Sequence, residues 1–258
     1  MAEHLETMSM SGHLEVLRKM LWRLVCVLSL LTLVLFGFKE QVFSLLLAPK
    51  ECDFVTYRAI EALLHRCGSA FVFEPYHVQL INTELSGQFI AHLSATFYVA
   101  LLLASPYVIT ELFGFVRPAL YQREQKIAIR VGIIMYVLFA VGVAVNYFVL
   151  FPVSFRFLGT YQVTPDVVNT ITLGSYISSF TTLTFVMGLV FQLPLVCWFL
   201  GHVGILSADV MRRYRRHAFI AIMVLAAVIT PPDLFTLALV TLPLYLLYEV
   251  SIWIIPKN

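Results

Sequence analysis

In the segment 117–130, the carboxylate of Glu124 stands among four basic residues, Arg117, Arg123, Lys126 and Arg130. One interpretation is a solvated ion pair within a helix, which is worth only about 0.3–0.5 kcal/mol. The other is a docking point for a ligand that carries arginine side chains, because a carboxylate receives a guanidinium through two parallel hydrogen bonds. Arg123, Lys126 and Arg130 repel a cationic ligand, so attraction has to come from the acid.

Three further polar residues lie in or beside long apolar runs, where an ionised side chain costs at least about 2.5–3.5 kcal/mol. Gln192, which precedes Leu193–Pro194, is typical of an interhelical hydrogen bond or of a transport role. Asp233 follows two prolines and is typical of a residue that caps the next helix. Glu249 is expected to pair with a basic neighbour or to lie near the cytoplasmic interface.

Motifs for enzymatic chemistry are missing from the sequence. There is no GxxxxGK[ST] phosphate loop, no HExxH zinc motif and no GxSxG nucleophile elbow. His92 and Ser94 are close in sequence, but side chains two residues apart on a helix point to different faces. The four cysteines have no metal-type spacing. We therefore predict no catalytic residue, no metal and no other cofactor, and the protein is not expected to be an enzyme.

The composition is that of a membrane protein. Hydrophobic residues make up 60% of the chain and charged residues 12%, against about 25% in a soluble domain. The mean hydropathy is +0.88. This excludes an ordinary water-soluble protein, and the net charge of +2 is too small to indicate a nucleic-acid partner.

Six apolar stretches approach the ~20 residues that cross a bilayer as a helix. They are residues 21–38, 87–109, 131–151, 174–201, 218–230 and 234–255. The fifth is short, and a locally thinned membrane would accommodate it. Pro106, Pro194 and Pro243 fall within these runs, and proline bends a helix because it removes a backbone donor. The sequence thus predicts an all-α integral membrane protein of six bent helices.

Lysine and arginine are distributed unevenly between the loops. Twelve fall in the N-terminal segment, the segments 110–130 and 202–217 and the tail, whereas five fall in the other segments. Because cytoplasmic loops carry the excess of basic residues, both termini are predicted to be cytoplasmic.

The longest loop, 39–86, is then exoplasmic. It contains a short amphipathic pattern with Phe54, Tyr57, Ile60 and Leu64 on one helical face and Arg58, Glu61 and His65 on the other. Such a helix lies on the membrane surface or on the protein. An oxidising compartment permits a disulfide between Cys52 and Cys67, but the sequence leaves this pairing open.

Seven motifs, in order along the chain, resemble those of the TatC family, the multi-spanning core subunit of the twin-arginine protein translocase. They are His13–Lys19, Phe115–Tyr121 followed by Glu124, Asn146–Pro152, Phe191–Pro194, Arg212–Arg215, Thr230–Asp233 and Leu247–Glu249. The resemblance covers nearly the whole chain, so residues 1–258 are expected to form one TatC-like membrane domain.

The resemblance implies Sec-independent export of folded proteins, driven by the proton-motive force. The membrane is expected to be the bacterial inner membrane rather than a plastid membrane. Signal peptides with paired arginines would bind at the cytoplasmic surface, and small single-span TatA/TatB-like subunits would be recruited. The family fold is a bent, glove-like helical bundle that self-associates in larger complexes. Signal-peptide binding is implied for Glu15, Arg18, Phe115, Leu120, Tyr121 and Glu124. Partner docking or intramembrane polar contacts are implied for Gln192, Thr230 and Asp233.

Two positions depart from the family pattern. The glutamate of the amino-terminal motif stands at Glu15, and Val16 occupies the place where the family has the acid. A shift of one residue rotates a helical side chain by about 100°, which leaves the reach of Glu15 open. Gln192 stands where many members have glutamate, and an amide does not titrate. The alternative functions are a secondary transporter or channel for a small solute, which needs a polar pathway through Gln192, Asp233 and Glu249, and an intramembrane hydrolase, which lacks a nucleophile and base.

Overall fold

The structure is a computed structural model that describes residues 10–68, 72–73, 75–76, 78–116, 125–164, 166 and 169–255, with the backbone alone at 10–13, 113–116 and 125–130. These residues are almost entirely helical. The α-helices are α1 (Met10–Phe36), α2 (Lys39–Leu47), α3 (Val55–Arg66), α4 (Gly87–Val116), α5 (Gln125–Val145), α6 (Phe151–Thr160), α7 (Leu173–Val190), α8 (Leu193–His202), α9 (Ala208–Arg213), α10 (Arg215–Ile229) and α11 (Leu234–Ile254). Two short strands, β1 (Leu80–Ile81) and β2 (Ile171–Thr172), pair in parallel.

Five helical segments of the described chain are long and apolar enough to cross a membrane. They are Leu14–Phe36, Gly87–Leu112, Val131–Thr160, Leu173–His202 and Leu234–Ile254. Each matches one of the expected spans. The remaining expected span, 218–230, corresponds to α10, whose 15 residues fall short of the ~20 that cross a bilayer of ordinary thickness. The sequence had marked this span as the short one.

The third span is longer than its apolar run indicates. After α5 the chain forms a five-residue π-helix, Asn146–Leu150, and then continues into α6. Pro152 lies in the first turn of α6, but the residues before it are helical too, so its missing N–H leaves a carbonyl of the preceding turn without a helical donor. Asn146 is fully buried and donates its amide Nδ2 to Thr184 Oγ1 on α7 at 2.8 Å. A π-turn thus lies at the position where this buried polar side chain binds the neighbouring helix.

The chain divides into two compact units, which are described separately. The first comprises Met1–Val42 with Thr96–Tyr136 and contains α1 together with the second part of α4. The second comprises Phe43–Ala95 with Val137–Asn258 and contains α3 and α6 to α11. An aromatic cluster of Phe151, Phe155, Tyr176 and Phe180 lies at the centre of the second unit, with edge-to-face contacts at 4.9–5.1 Å between ring centroids.

Close helix packing in the second unit depends on two glycines. A Cβ at Gly142 on α5 would lie 2.6 Å from the backbone oxygen of Met187 on α7. A Cβ at Gly188 would lie 2.5 Å from the ring of Phe139. The two helices approach each other where neither has a side chain, as is common between membrane helices.

The prolines in the spans mark two kinds of feature. Pro194 follows a break at Phe191–Gln192 that separates α7 from α8. Pro106 and Pro243 lie inside α4 and α11, which continue past them. Membrane helices tolerate such prolines because neighbouring groups satisfy the freed backbone carbonyls.

The amphipathic helix predicted in the segment 39–86 is present as α3. Phe54 and Tyr57 are buried, whereas Arg58 and His65 are exposed, which confirms the expected faces. Tyr57 donates its hydroxyl to the carbonyl of Pro152 at 2.6 Å, and Thr56 donates to the carbonyl of Phe148. α3 therefore lies on the protein, against the start of α6. Cys52 and Cys67 are both exposed and free, so the disulfide that the sequence left open is not formed.

Arg156 on α6 lies within an aromatic box built by the segment that contains α3. Its guanidinium carbon is 5.1 Å from the ring centroid of Tyr57, 4.5 Å from that of Phe73 and 4.6 Å from that of Tyr76. Burial raises the pKa of Tyr57 and of Tyr76, so both phenols stay neutral at physiological pH and present intact rings to the cation.

Candidate functional site

Four of the six residues expected to bind a signal peptide fall in the segment 115–124. Leu120, Tyr121 and Glu124 lie outside the described residues, and Phe115 is described by its backbone alone, in the last turn of α4. The role expected for these four side chains therefore stays a prediction.

Glu15 and Arg18 lie near the beginning of α1, and both are exposed. Glu15 forms an ion pair with Lys19 one turn later, at 2.9 Å between Oε1 and Nζ. Both side chains of this pair are more than half exposed, so the bond is weak and a stronger ligand for the carboxylate displaces Lys19 at little cost.

A second acidic residue in the first unit was not identified from the sequence. Glu111, near the end of α4, accepts a hydrogen bond from Tyr107 at 3.0 Å and pairs with Arg23 of α1 at 3.3 Å, both through Glu111 Oε1. The sequence carried a usable signal: Glu111 and Arg23 are charged residues within two or three positions of the ends of two apolar runs that face the same side of the membrane in the predicted topology.

Gln192 lies at the break between α7 and α8. Its Nε2 points back to the carbonyl of Gly188, one turn earlier, at 3.5 Å, which is the outer limit of a hydrogen bond. Gln192 is half-buried, and its sequence neighbour Phe191 is buried. The side chain therefore lies at a helix break within the span Leu173–His202.

The turn Thr230–Asp233 connects α10 to α11 through local bonds. Asp233 Oδ1 accepts the backbone N–H of Thr236 at 2.6 Å, and Thr230 donates its hydroxyl to the carbonyl of Ala226 at 2.9 Å. The interpretation of Asp233 as the cap of the following helix is confirmed. In the described part of the chain, Asp233 Oδ2 and Thr236 Oγ1 are buried without a hydrogen-bond partner.

Thr236 also lines a mainly apolar cavity of about 290 Å³ between α6, α7 and the Thr230–Asp233 turn. Ser154, Ser175 and Ser179 contribute further hydroxyls to its wall. The Oγ of Ser154 is buried and has no partner among the described residues, like that of Thr236. A cavity of this size with unpaired oxygens is large enough for several water molecules.

An apolar groove of about 380 Å³ lies between α10 and α11 and is called the α10–α11 groove below. Its walls are formed by Phe219, Met223, Leu234, Leu237, Ala238, Thr241, Leu242, Tyr245 and Leu246. Leu242 is 65% exposed and Met223 is 37% exposed. The groove presents large apolar side chains outward, as a surface that contacts lipid or another helix does.

Glu249, in the last span, is neutralised within its own helical hairpin. Arg215 Nη2 donates to Glu249 Oε2 at 2.7 Å, and Tyr245 donates to Oε1 at 3.0 Å. The expected pairing with a basic neighbour is confirmed. Asp233, the N-cap of α11, and Glu249 are sixteen residues apart, a rise of about 24 Å, so these two acids do not contact each other.

Comparison with known proteins shows to which family this chain belongs. The family model described as "Sec-independent protein translocase protein (TatC)" matches residues 12–243. The chain belongs to the TatC family.

Curated TatC proteins and solved TatC structures match the chain over nearly its full length. The Sec-independent protein translocase protein TatC of Blattabacterium sp. subsp. Periplaneta americana (strain BPLAN) is 35% identical over 94% of this chain and 92% of its own. That of Escherichia coli (strain K12) is 28% identical over 96% and 88%. A crystal structure of the twin arginine translocase receptor TatC superposes with a TM-score of 0.71 at 26% identity and covers 94% of this chain and 97% of its own. Another, in DDM, gives a TM-score of 0.74 at 25% identity and covers 95% and 100%.

TatC membership fixes the class of the protein. The chain is an all-α, multi-pass integral membrane protein and a component of the Sec-independent protein translocase, that is, a membrane transport subunit. In this chain, Glu15 and Glu111 lie in the unit that also contains the helix ends flanking the segment 117–124.

Proposed function

We propose that this TatC protein recognises the paired arginines of signal peptides and exports their folded cargo, driven by the proton-motive force. The observation that carries the proposal is the likeness over 94% of the chain to a protein described as the twin arginine translocase receptor. Residues 1–258 act as one membrane domain in the cell inner membrane, with both termini cytoplasmic.

The peptide site comprises Glu15 with Arg18 at the start of α1, Phe115 in the last turn of α4, and Leu120, Tyr121 and Glu124 in the segment that follows α4. Acidic residues at a membrane surface receive guanidinium groups bidentately, and partial desolvation strengthens the bond. The exposure of Glu15 and the weakness of its pair with Lys19 support this assignment, because the carboxylate is available to a ligand.

Small single-span TatA/TatB-like subunits dock beside the Thr230–Asp233 turn, and copies of the chain associate in a larger complex. The α10–α11 groove supports this because it begins at Leu234, next to the turn, and its apolar wall accepts a helix within the membrane. The turn beside the groove is polar, and its Asp233 Oδ2 has no hydrogen-bond partner among the described residues. Gln192 contributes a further polar group within the span.

Crosslinking of a twin-arginine peptide in membranes tests the proposal. Glu124→Gln keeps the size of the side chain and removes its charge. It is expected to weaken crosslinking about tenfold to hundredfold, since a hydrogen bond between charged groups contributes about 1.5–3 kcal/mol. Glu124→Arg is expected to weaken it more, and an acidic residue in the peptide partly restores it.

The matched control is Glu84→Gln, which removes an exposed carboxylate from the predicted exoplasmic loop. It should leave crosslinking unchanged. Normal binding of the peptide by Glu124→Gln in the same membranes would show that Glu124 is a solvated ion-pair partner and would move the site to Glu15.

A further inference from the structure

In the first unit, an ion pair connects the two helices that lead to the proposed peptide site. Arg23 of α1 and Glu111 of α4 are 3.3 Å apart. The side chain of Glu111 is 16% exposed, whereas that of Arg23 is 58% exposed. Tyr107 holds the same carboxylate oxygen at 3.0 Å. The acid is therefore fixed and largely covered, while most of its basic partner remains accessible.

The position of the pair places it beside the proposed docking loop. Glu111 lies five residues before Val116, the last residue of α4, and the segment 117–124 follows directly. Arg23 lies within the first span, close to the start of its apolar run. Glu111 is thus less than two helical turns before the segment that the proposed function assigns to the peptide.

We infer that Glu111 is a further carboxylate that binds an arginine of the signal peptide, and that Arg23 occupies it while no peptide is bound. The inference rests on the proposed function. An incoming guanidinium makes the same bond that Arg23 makes, so the exchange leaves no buried carboxylate unpaired. The released Arg23 retains its contact with water through its long side chain.

Glu15 and Glu111 are two acids that each pair with a basic side chain of the chain, which suits a ligand with two arginines. Glu15 and Arg23 are eight residues apart on α1, a rise of about 12 Å. Adjacent residues of an extended peptide project to opposite sides, so their guanidinium groups reach separate carboxylates. Glu15 is paired with Lys19, and Glu111 is paired with Arg23. Each of these two acids therefore holds a basic side chain of the same chain.

Arg23 could occupy a peptide site on Glu111, or the ion pair could only be a clamp that holds α1 against α4. These two roles predict different effects of substitutions on peptide binding. If the pair is a clamp, removing either partner weakens the helix contact, and peptide binding falls in both variants. If Arg23 occupies a peptide site, removing Glu111 weakens binding, whereas removing Arg23 strengthens it because the peptide no longer competes with an internal arginine.

The experiment compares crosslinking of a twin-arginine peptide and a twin-lysine peptide to the full chain in membrane vesicles. Glu111→Gln is expected to weaken twin-arginine binding about tenfold and to reduce the preference for arginine over lysine, since lysine lacks the planar bidentate group. Arg23→Gln is expected to strengthen twin-arginine binding about threefold. Arg23→Lys keeps an ion pair with Glu111 and should also strengthen binding, because an ammonium is the weaker competitor.

Glu40→Gln is the matched control, because Glu40 is an exposed acid of the same unit in the first turn of α2. It should change neither binding nor the preference for arginine. Normal twin-arginine binding by Glu111→Gln overturns the inference and leaves the proposed function intact, and so does a weakening of binding by both Glu111→Gln and Arg23→Gln. If the unaltered chain does not distinguish the two peptides, the proposed function itself fails.

Discussion

The guanidinium of Arg215, the first residue of α10, lies 2.7 Å from the carboxylate of Glu249 near the end of α11. Tyr245 holds the second carboxylate oxygen at 3.0 Å. The pair fastens the open end of the hairpin whose other end is the Thr230–Asp233 turn. It explains how a carboxylate persists in the apolar run Leu234–Ile254 without an unpaired charge.

Removing Arg215 is expected to destabilise the protein more than removing Glu249. Arg215→Gln leaves Glu249, which is 25% exposed, without its cation in an apolar span, and should lower the free energy of unfolding by about 1–2 kcal/mol. Glu249→Gln leaves an arginine that extends to water, and should cost about 0.5 kcal/mol. Thermal unfolding of the purified protein in detergent measures both.

Arg216→Gln serves as the control, since Arg216 is exposed and adjacent to Arg215 in sequence. It should shift unfolding by less than either variant of the pair. An equal or larger loss for Glu249→Gln than for Arg215→Gln would contradict the asymmetry and would indicate that the carboxylate is well solvated.

The aromatic box around Arg156 predicts a dependence on shape as well as on charge. Arg156→Lys keeps the positive charge but loses the flat guanidinium that stacks on three rings, and should destabilise the protein by about 1 kcal/mol. Arg156→Gln should cost about 2 kcal/mol. Thermal unfolding and limited proteolysis between α3 and β1 report the loss of docking.

Arg66→Gln is the comparison for the box, because Arg66 is an exposed residue in the last turn of α3. Its effect on unfolding should be within about 0.5 kcal/mol of zero. If Arg156→Lys behaves like this surface variant, the box contributes charge alone and the stacking geometry is not used.

The sequence predicted the helices well because their signal is local. Long apolar runs define the spans, and the amphipathic pattern around Tyr57 defines α3. The extension of the third span through Pro152 to Thr160 was not predicted, because proline in the first turn of a helix and a π-turn leave no distinctive local pattern.

Contacts between residues far apart in sequence were harder to predict. The pairing of Glu249 was expected, yet its partner Arg215 was not named, and Glu111 was missed altogether. Glu111 and Arg23 are 88 positions apart, so only the packing of α1 on α4 shows that they meet. The box around Arg156 depends in the same way on three rings from a separate segment.

The predicted orientation can be tested with the native cysteines. Cys52 and Cys67 are exposed and free in the segment expected to be exoplasmic. A membrane-impermeant maleimide should therefore label the unaltered protein in intact cells, and the double variant Cys52→Ser, Cys67→Ser should lose the label. In that background, Gln122→Cys should react only after the membrane is permeabilised, because position 122 lies in a basic segment that is predicted to be cytoplasmic. Labelling of Gln122→Cys in intact cells, with none of the native cysteines, would reverse the orientation.

The α10–α11 groove predicts where a single-span partner docks. A photoreactive residue at Leu242, in the groove, or at Ile229 or Phe235, beside the turn, should capture a small membrane protein. The physical reason is that exposed apolar side chains on both helices offer a surface for close helix packing, with the turn at one end supplying polar contacts.

The control is Leu33 on α1, which is 73% exposed but belongs to the first unit. If exposure alone decided capture, all of these sites would capture the partner equally. Capture at Leu33 with none at Leu242, Ile229 or Phe235 would place the docking surface on α1 and leave the groove to lipid.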